Sequence, residues 1–186
     1  MRFVAAILFL FSLVETGLAR PARVILLRHA EKPQNPADTH LSDQGRLRAE
    51  ALAFCLTTNT VLLADGLPVA LFATKFAHSS DSQRPFETLQ PLATKLNLAI
   101  QTPYARRNHA ELVKSILNNL DYENKTIVIC WVHDFLPDLA RELGVKKVPA
   151  EWRSDVYDRF WVVTWARKSA RMSSLPQHIA LNGPAK

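Results

Sequence analysis

Residues 23–27 (R-V-I-L-L) are a short run of β-branched and leucine side chains, followed at once by Arg28, His29 and a proline-containing loop. A run too brief for a helix and apolar throughout predicts a buried strand. From residue 41 to 56 the pattern changes. Ser42 offers an N-cap, Leu47, Ala51 and Phe54 recur at helical spacing, and Arg46, Arg48 and Glu50 fall elsewhere. That is an amphipathic helix whose apolar stripe carries those three residues. Residues 69–73 form a second apolar run, and residues 82–96 a second helical segment with Phe86, Leu89, Leu92 and Leu96 on one side. A short extended piece at 99–102 leads to a helical segment at 109–120 carrying Leu112, Ile116 and Leu120, and then to the strongly apolar run 126–132. A further helix spans 134–143 and stops at Gly144, and residues 159–165 (R-F-W-V-V-T-W) close the pattern as a β-rich stretch. Strands alternating with helices predict an α/β fold, a mostly parallel sheet with helices on both faces. In such sheets ligands bind beyond the carboxyl ends of the strands.

The two ends of the chain follow other rules. Residues 1–19 run from Arg2 through an apolar stretch to Glu15, Thr16 and the small residues Gly17 and Ala19, which is the order of a cleavable export signal. Glu15 stops the apolar stretch well short of the ~20 residues a spanning helix needs, so an uncleaved anchor is the weaker reading. The expected domain is 20–167, and residues 168–186, rich in Ser, Pro and scattered basic groups without periodicity, are expected to be a loosely ordered tail. Localisation follows as secreted, or periplasmic in a bacterium, with no stable membrane anchor.

Composition narrows the picture further. With 48% hydrophobic against 22% charged residues in 186, one compact domain is expected rather than disorder. The formal charge of +6 remains when residues 1–19 are removed, since they hold one Arg and one Glu. No aromatic-interleaved basic stripe accompanies it, so nucleic acid is not an expected partner and attraction of anionic substrates is the milder inference. Cys55 and Cys130 read as buried thiols, with a disulfide left open in an oxidising compartment. His40, His78, His109 and His178 show no paired spacing, and no metal or other cofactor is expected.

The chemistry gathers at the strand exits. Arg28 and His29 follow the first strand, Arg84 opens the helix after the second, and His133 follows the strand at 126–132. Guanidinium forks pair bidentately with phosphate oxygens and stay charged at any working pH. A neutral imidazole attacks phosphorus in line while cations neutralise the equatorial oxygens, which gives a covalent phosphohistidine for water to hydrolyse.

The string V-I-L-L-R-H-A-E-K-P (24–33) resembles the Arg-His signature of the histidine phosphatase superfamily, the phosphoglycerate mutase-like proteins. L-S-D-Q-G-R-L-R-A-E-A-L-A (41–53) is similar to that family's first helix, S-Q-R-P-F-E-T-L-Q-P-L-A (82–93) to its Arg-x-x-x-Thr helix, and T-I-V-I-C-W-V-H (126–133) to the strand ending in its second histidine. The resemblance covers residues 23–165. It implies a three-layer α/β/α sandwich, His29 as nucleophile, and Arg28, Arg84 and His133 as ligands of the phosphoryl group. It departs from the family at Ala30, where most members have Gly, and at residues 103–109, which lack the acid that mutase-type members carry. Asp134 resembles the aspartate of the acid-phosphatase branch, against an N-cap role. Glu111 lies a turn beyond the usual acid position, and Glu31 neighbours the nucleophile, where an ion pair with Lys32 or Arg46 is the competing role. The expectation is an exported, metal-independent phosphatase acting on a small phosphorylated substrate, an envelope sugar phosphate among them. The alternatives are a non-catalytic phosphate- or polyanion-binding module on the same fold and a protein phosphohistidine phosphatase.

Overall fold

The computed structural model describes residues 20–166 and 169–181; the export-signal expectation for residues 1–19 lies outside them. Six strands form one sheet: β1 (Arg23–Arg28), β2 (Pro68–Ala73), β3 (Ile100–Gln101), β4 (Thr126–Trp131), β5 (Arg159–Ala166) and β6 (Ser169–Pro176). Their order across the sheet is β3-β2-β4-β1-β5-β6. The first four are parallel, and β5 and β6 join antiparallel, so the mostly parallel expectation holds.

All six residues of β1 and all six of β4 are buried, because both faces of these central strands are covered. Alternation sorts them between two cores. Val24 and Leu26 of β1 join Ile127 and Ile129 on the face covered by α3 (His109–Leu117) and α4 (Leu136–Glu142). Ile25 and Leu27 join Val128 and Cys130 on the face covered by α1 (Asp43–Thr58) and α2 (Arg84–Leu96). Three layers result, and each buried aliphatic contributes roughly 1.5–3 kcal/mol of transfer free energy. Among the described residues no helix is long and apolar enough to cross a membrane.

Two expectations are corrected. Helix α1 turns the opposite stripe inward: Leu47 and Phe54 are 50% and 63% exposed, while Arg48, Ala49, Leu52, Ala53 and Leu56 are buried. The inward face is set by α1's docking on the loop after β1 and by its contact with α2, and it includes a charged residue that an apolar count places outside. The expected loose tail is corrected over residues 169–176, which form β6, paired with β5 over eight positions from Arg159↔Pro176 to Ala166↔Ser169; residues 168 and 182–186 of that tail lie outside the described residues. An edge strand gains its ladder hydrogen bonds from backbone alone, so a polar sequence suffices.

Ser42 caps α1 as expected, its side chain accepting from Gly45 N at 3.0 Å. The same hydroxyl donates to the Glu31 carbonyl, which also accepts from Ser42 N at 3.0 Å. Helix α1 is thereby moored to the loop just beyond His29. Gly45 makes the approach feasible, since a Cβ there would lie 2.4 Å from the Glu31 carbonyl oxygen. Gly45→Ala is expected to lower stability by about 2 kcal/mol, within the range for backbone overpacking. Chemical denaturation checks it; an unchanged midpoint would show that the loop yields freely.

Candidate active site

The parallel register levels the strand ends. Arg28 of β1 stands opposite Trp131 of β4, and Ala73 of β2 opposite Cys130. The residues that follow, His29, Thr74 and Val132–His133, therefore emerge on one edge of the sheet. His29 N still donates to the Trp131 carbonyl at 3.2 Å, so the nucleophile candidate is carried on the extension of a rigid strand.

His29 is 4% exposed. Its Nδ1 lies 2.7 Å from the Ala30 carbonyl oxygen, an acceptor only, so Nδ1 carries the proton and donates it there. Nε2 is then the basic nitrogen. Burial, the larger cause, together with the guanidinium charges of Arg28 and Arg84, pushes the imidazole down to about 3, opposed by the Ala30 hydrogen bond. Ala30 N in turn donates to Thr88 Oγ1 at 2.9 Å, whose hydroxyl donates to the Arg84 carbonyl at 2.7 Å. That chain ties the backbone just after His29 to the first turn of α2.

Arg28 is 2% exposed and clamped from one side. Its Nη1 donates to the carbonyls of Ser154 and Val156, its Nη2 donates to Tyr157 Oη at 3.1 Å, and the guanidinium lies 3.9 Å from the Tyr157 ring centroid. Its Nε is buried without a partner. Nε and Nη2 form the side-on edge of the fork, the same edge with which Arg48 grips both oxygens of Glu31. Along that edge of Arg28, Nη2 is taken by the Tyr157 hydroxyl and Nε has no partner. Burial pulls the guanidinium below its usual value, against the raising effects of Tyr157, Asp134 and Glu31.

Arg84 contributes its charge more than its hydrogen bonds. Its Nε donates to the His40 carbonyl at 3.0 Å, Nη2 to the Asp38 carbonyl and Nη1 to Ser82 Oγ at 3.3 Å, so the guanidinium fastens the 33–40 loop. Glu87 completes that docking through His40 Nδ1 and Leu41 N. His133 opens a 3-10 turn (His133–Phe135) before α4, with Nδ1 2.9 Å from Asp134 Oδ1. Burial and Arg28 hold its imidazole below the usual range, opposed by Asp134.

The structure thus brings Arg28, His29, Arg84 and His133 together, with Asp134 attached through His133. Asp134 does not cap α4: Phe135 holds the cap position, without a side-chain cap bond. Glu111 is left outside. It sits on the exposed first turn of α3, accepting from Asn108 Nδ2 at 3.2 Å, and that contact and the helix backbone draw its carboxyl below the usual range. Glu31 is committed neither to Lys32 nor to Arg46, but to the buried Arg48. Cys55 and Cys130 are free thiols, the second pushed up by burial.

Tyr157 is the site residue that the sequence reading did not single out. It lies in the polar stretch D-V-Y-D-R with no periodic neighbour to mark it, yet its ring centroid is 6.2 Å from that of His29. Where an anion oxygen competes with the Tyr157 hydroxyl for Arg28 Nη2, Tyr157→Phe is expected to tighten inorganic phosphate binding about fivefold, the value of one modest hydrogen bond. Titration calorimetry reads this; weaker binding would make the hydroxyl a phosphate ligand instead of a competitor.

Two cavities flank the cluster. One of about 430 Å³ is lined by His133, Asp134 and the 150–155 segment. The other, of about 720 Å³, is lined by Arg84, Val132 and the loops after β1, β2 and β3. Ser80, Asp81 and Ser82 reach it, while His78 and Ser79 just before them do not line it.

The architecture is a three-layer α/β sandwich with a polar cluster at its strand ends, and solved structures share that fold. A mycobacterial glucosyl-3-phosphoglycerate phosphatase, solved with VO3, superposes with a TM-score of 0.59 at 14% identity, over 83% of this chain and 98% of that one. A structure assigned as phosphohistidine phosphatase SixA from Agrobacterium tumefaciens gives 0.53 at 16% identity over 84% and 99%. One assigned as alpha-ribazole-5'-P phosphatase from Escherichia coli gives 0.55 at 14% identity over 84% and 97%. No family model and no curated protein sequence matches the chain. At these identities the likeness establishes the fold, and the fold expected from the Arg-His resemblance is the fold of this chain.

Proposed function

We propose that the protein is a metal-independent phosphomonoester hydrolase working through a phosphohistidine at His29. The observation that carries this reading is the buried, neutral His29, its Nδ1–H fixed on Ala30, beside an arginine whose bidentate edge has one orphaned donor. A phosphoryl oxygen supplies that donor's missing partner. In the first step the Nε2 lone pair forms the N–P bond, the P–O bond to the leaving group breaks, and the leaving oxygen takes a proton. Asp134, the carboxyl group held on a site histidine, is assigned as donor. In the second step water attacks phosphorus and gives a proton to the Asp134 carboxylate, the N–P bond breaks, and inorganic phosphate leaves with Nε2 free and Asp134 protonated again. Arg28, Arg84 and His133 stabilise the charge on the equatorial oxygens in both steps.

The same proposal places the enzyme outside the cytoplasm after removal of residues 1–19, acting on small phosphoesters such as phosphorylated envelope sugars. The signal-like order of those residues supports export, and the sugar-linked substrate named for the mycobacterial neighbour supports the substrate class.

The test is hydrolysis of p-nitrophenyl phosphate in a chelator, with quenching in alkaline detergent to trap phosphoprotein. Turnover together with an acid-labile, base-stable phosphoprotein is the expected result. Phosphate binding with neither hydrolysis nor phosphoprotein would overturn the catalytic reading in favour of a binding module.

A further inference from the structure

The larger cavity beside Arg84 has a charge pattern that phosphoryl transfer at His29 does not use. Two strand exits supply it: Lys75 and, at the start of α2, Arg84 follow β2, and Arg106 with Arg107 follow β3. Four cations line one cavity of about 720 Å³, against the single carboxylate of Asp81. That carboxylate is already engaged, with Oδ2 accepting from Ala77 N at 2.9 Å and His78 N at 3.0 Å. Among the described residues no ion pair involves Lys75, Arg106 or Arg107.

The backbones bearing these cations are fixed. Lys75 N donates to the Tyr104 carbonyl at 2.7 Å, joining the exits of β2 and β3. Trp131, fully buried at the end of β4, donates its indole N–H to the Arg106 carbonyl at 3.1 Å. Arg107 is steered toward the Phe135 ring, 5.8 Å from its centroid, one turn beyond His133. Like charges gathered from three elements repel one another, and an anion in the cavity relieves that repulsion.

From this geometry we infer that the cavity binds a second anionic group of the substrate, so that the preferred substrates are phosphomonoesters bearing a carboxylate or a further phosphate on the leaving-group side. Arg84 stands at the junction, its charge acting on His29 from one side and lining the cavity on the other. The stretch where the mutase-type acid was expected carries cations instead. The inference rests on the hydrolase reading of the His29 site.

The experiment compares the wild-type chain with Arg106→Gln/Arg107→Gln and, separately, Lys75→Gln. All three side chains are exposed, and the Trp131 bond uses the Arg106 backbone, so the variants are expected to fold. The first readout is kcat/KM for 4-carboxyphenyl phosphate relative to p-nitrophenyl phosphate; leaving-group reactivity cancels when this ratio is compared between variants. The double variant should lower the ratio about tenfold and Lys75→Gln about threefold, the scale of exposed ion pairs. The second readout is calorimetric binding of tripolyphosphate against inorganic phosphate, which needs no turnover. Tripolyphosphate should bind about tenfold more tightly in the wild type, and the double variant should lose that advantage. A falling carboxylate ratio assigns a carboxylate, and a falling tripolyphosphate advantage assigns a phosphate. If both preferences survive the substitutions, or neither exists in the wild type, the subsite is overturned. Tripolyphosphate discrimination without hydrolysis of any ester would instead overturn the hydrolase and leave the anion site standing.

Discussion

His29→Asn is expected to abolish both turnover and phosphoprotein, with kcat/KM for p-nitrophenyl phosphate falling about 10⁴-fold, the scale seen when a covalent nucleophile is removed. The asparagine amide can still donate to the Ala30 carbonyl, so the loop keeps its anchor while the attacking lone pair is lost. The same residue leaves a signature in stability. Its folded pKa is about 3 against 6.5 when unfolded, so between these values the unfolded chain binds the extra proton. The sign follows: this contribution is present in full above about pH 6.5 and is lost as pH falls toward 3. Integrated over the window it amounts to on the order of 4 kcal/mol. Denaturant melts of the wild type should therefore weaken steeply through this range, and His29→Asn should flatten the slope. For activity the expectation runs the other way, since a nucleophile already neutral at pH 5 loses nothing to its own protonation there. If the variant retains phosphoprotein, the nucleophile lies elsewhere. If its stability shows the same pH slope as the wild type, His29 is not the buried neutral group.

What the chain's pattern made legible, and what it hid, divides along a physical line. Central strands buried on both faces show as uninterrupted apolar runs, so β1, β4 and the residues at their exits could be read directly, and with them Arg28, His29 and His133. Helix α1 misled because two stripes are equally periodic. Leu47, Ala51 and Phe54 make one, and the buried one, with Ala49, Leu52, Ala53 and Leu56, is interrupted by Gly45, which allows close approach, and Arg48, neutralised by a partner distant in sequence. Strand β6 was hidden because edge pairing asks for backbone and no apolar face. Tyr157 was hidden because its role comes only from the meeting of the 150–158 segment with β1, 129 residues earlier in the chain. Glu111 shows the converse. The resemblance put it a turn beyond the family's acid position, but nothing in that position told which face of α3 would point at the sheet end.

The pairing of Glu31 with Arg48 carries the largest expected effect on stability, because removing one partner leaves a charge where water cannot reach. The side chains are 13% and 9% exposed, and Arg48 approaches Glu31 with Nε at 2.8 and 3.0 Å and Nη2 at 2.7 Å, a side-on bidentate grip. The remaining Nη1 donates to Gln177 Oε1 at 3.0 Å, and Gln177 Nε2 donates to the Arg159 carbonyl at 3.1 Å, so the pair also ties the exit of β6 to α1. Glu31→Ala is expected to cost about 3–5 kcal/mol, the range for breaking a buried pair from one side. Replacing both partners by apolar groups, as in Glu31→Leu/Arg48→Met, should restore most of that loss, since no charge then remains buried. Activity separates the two roles of this pair. Glu31 lies two residues beyond the nucleophile, and its carbonyl moors the cap of α1. If the ion pair only stabilises, the restored double variant hydrolyses p-nitrophenyl phosphate at the wild-type rate. If it also sets the path of the loop, kcat stays depressed after stability has returned. A single Glu31→Ala variant as stable as the wild type would mean that Arg48 finds water or another partner, and the buried pair would no longer explain why α1 turns a charged face inward.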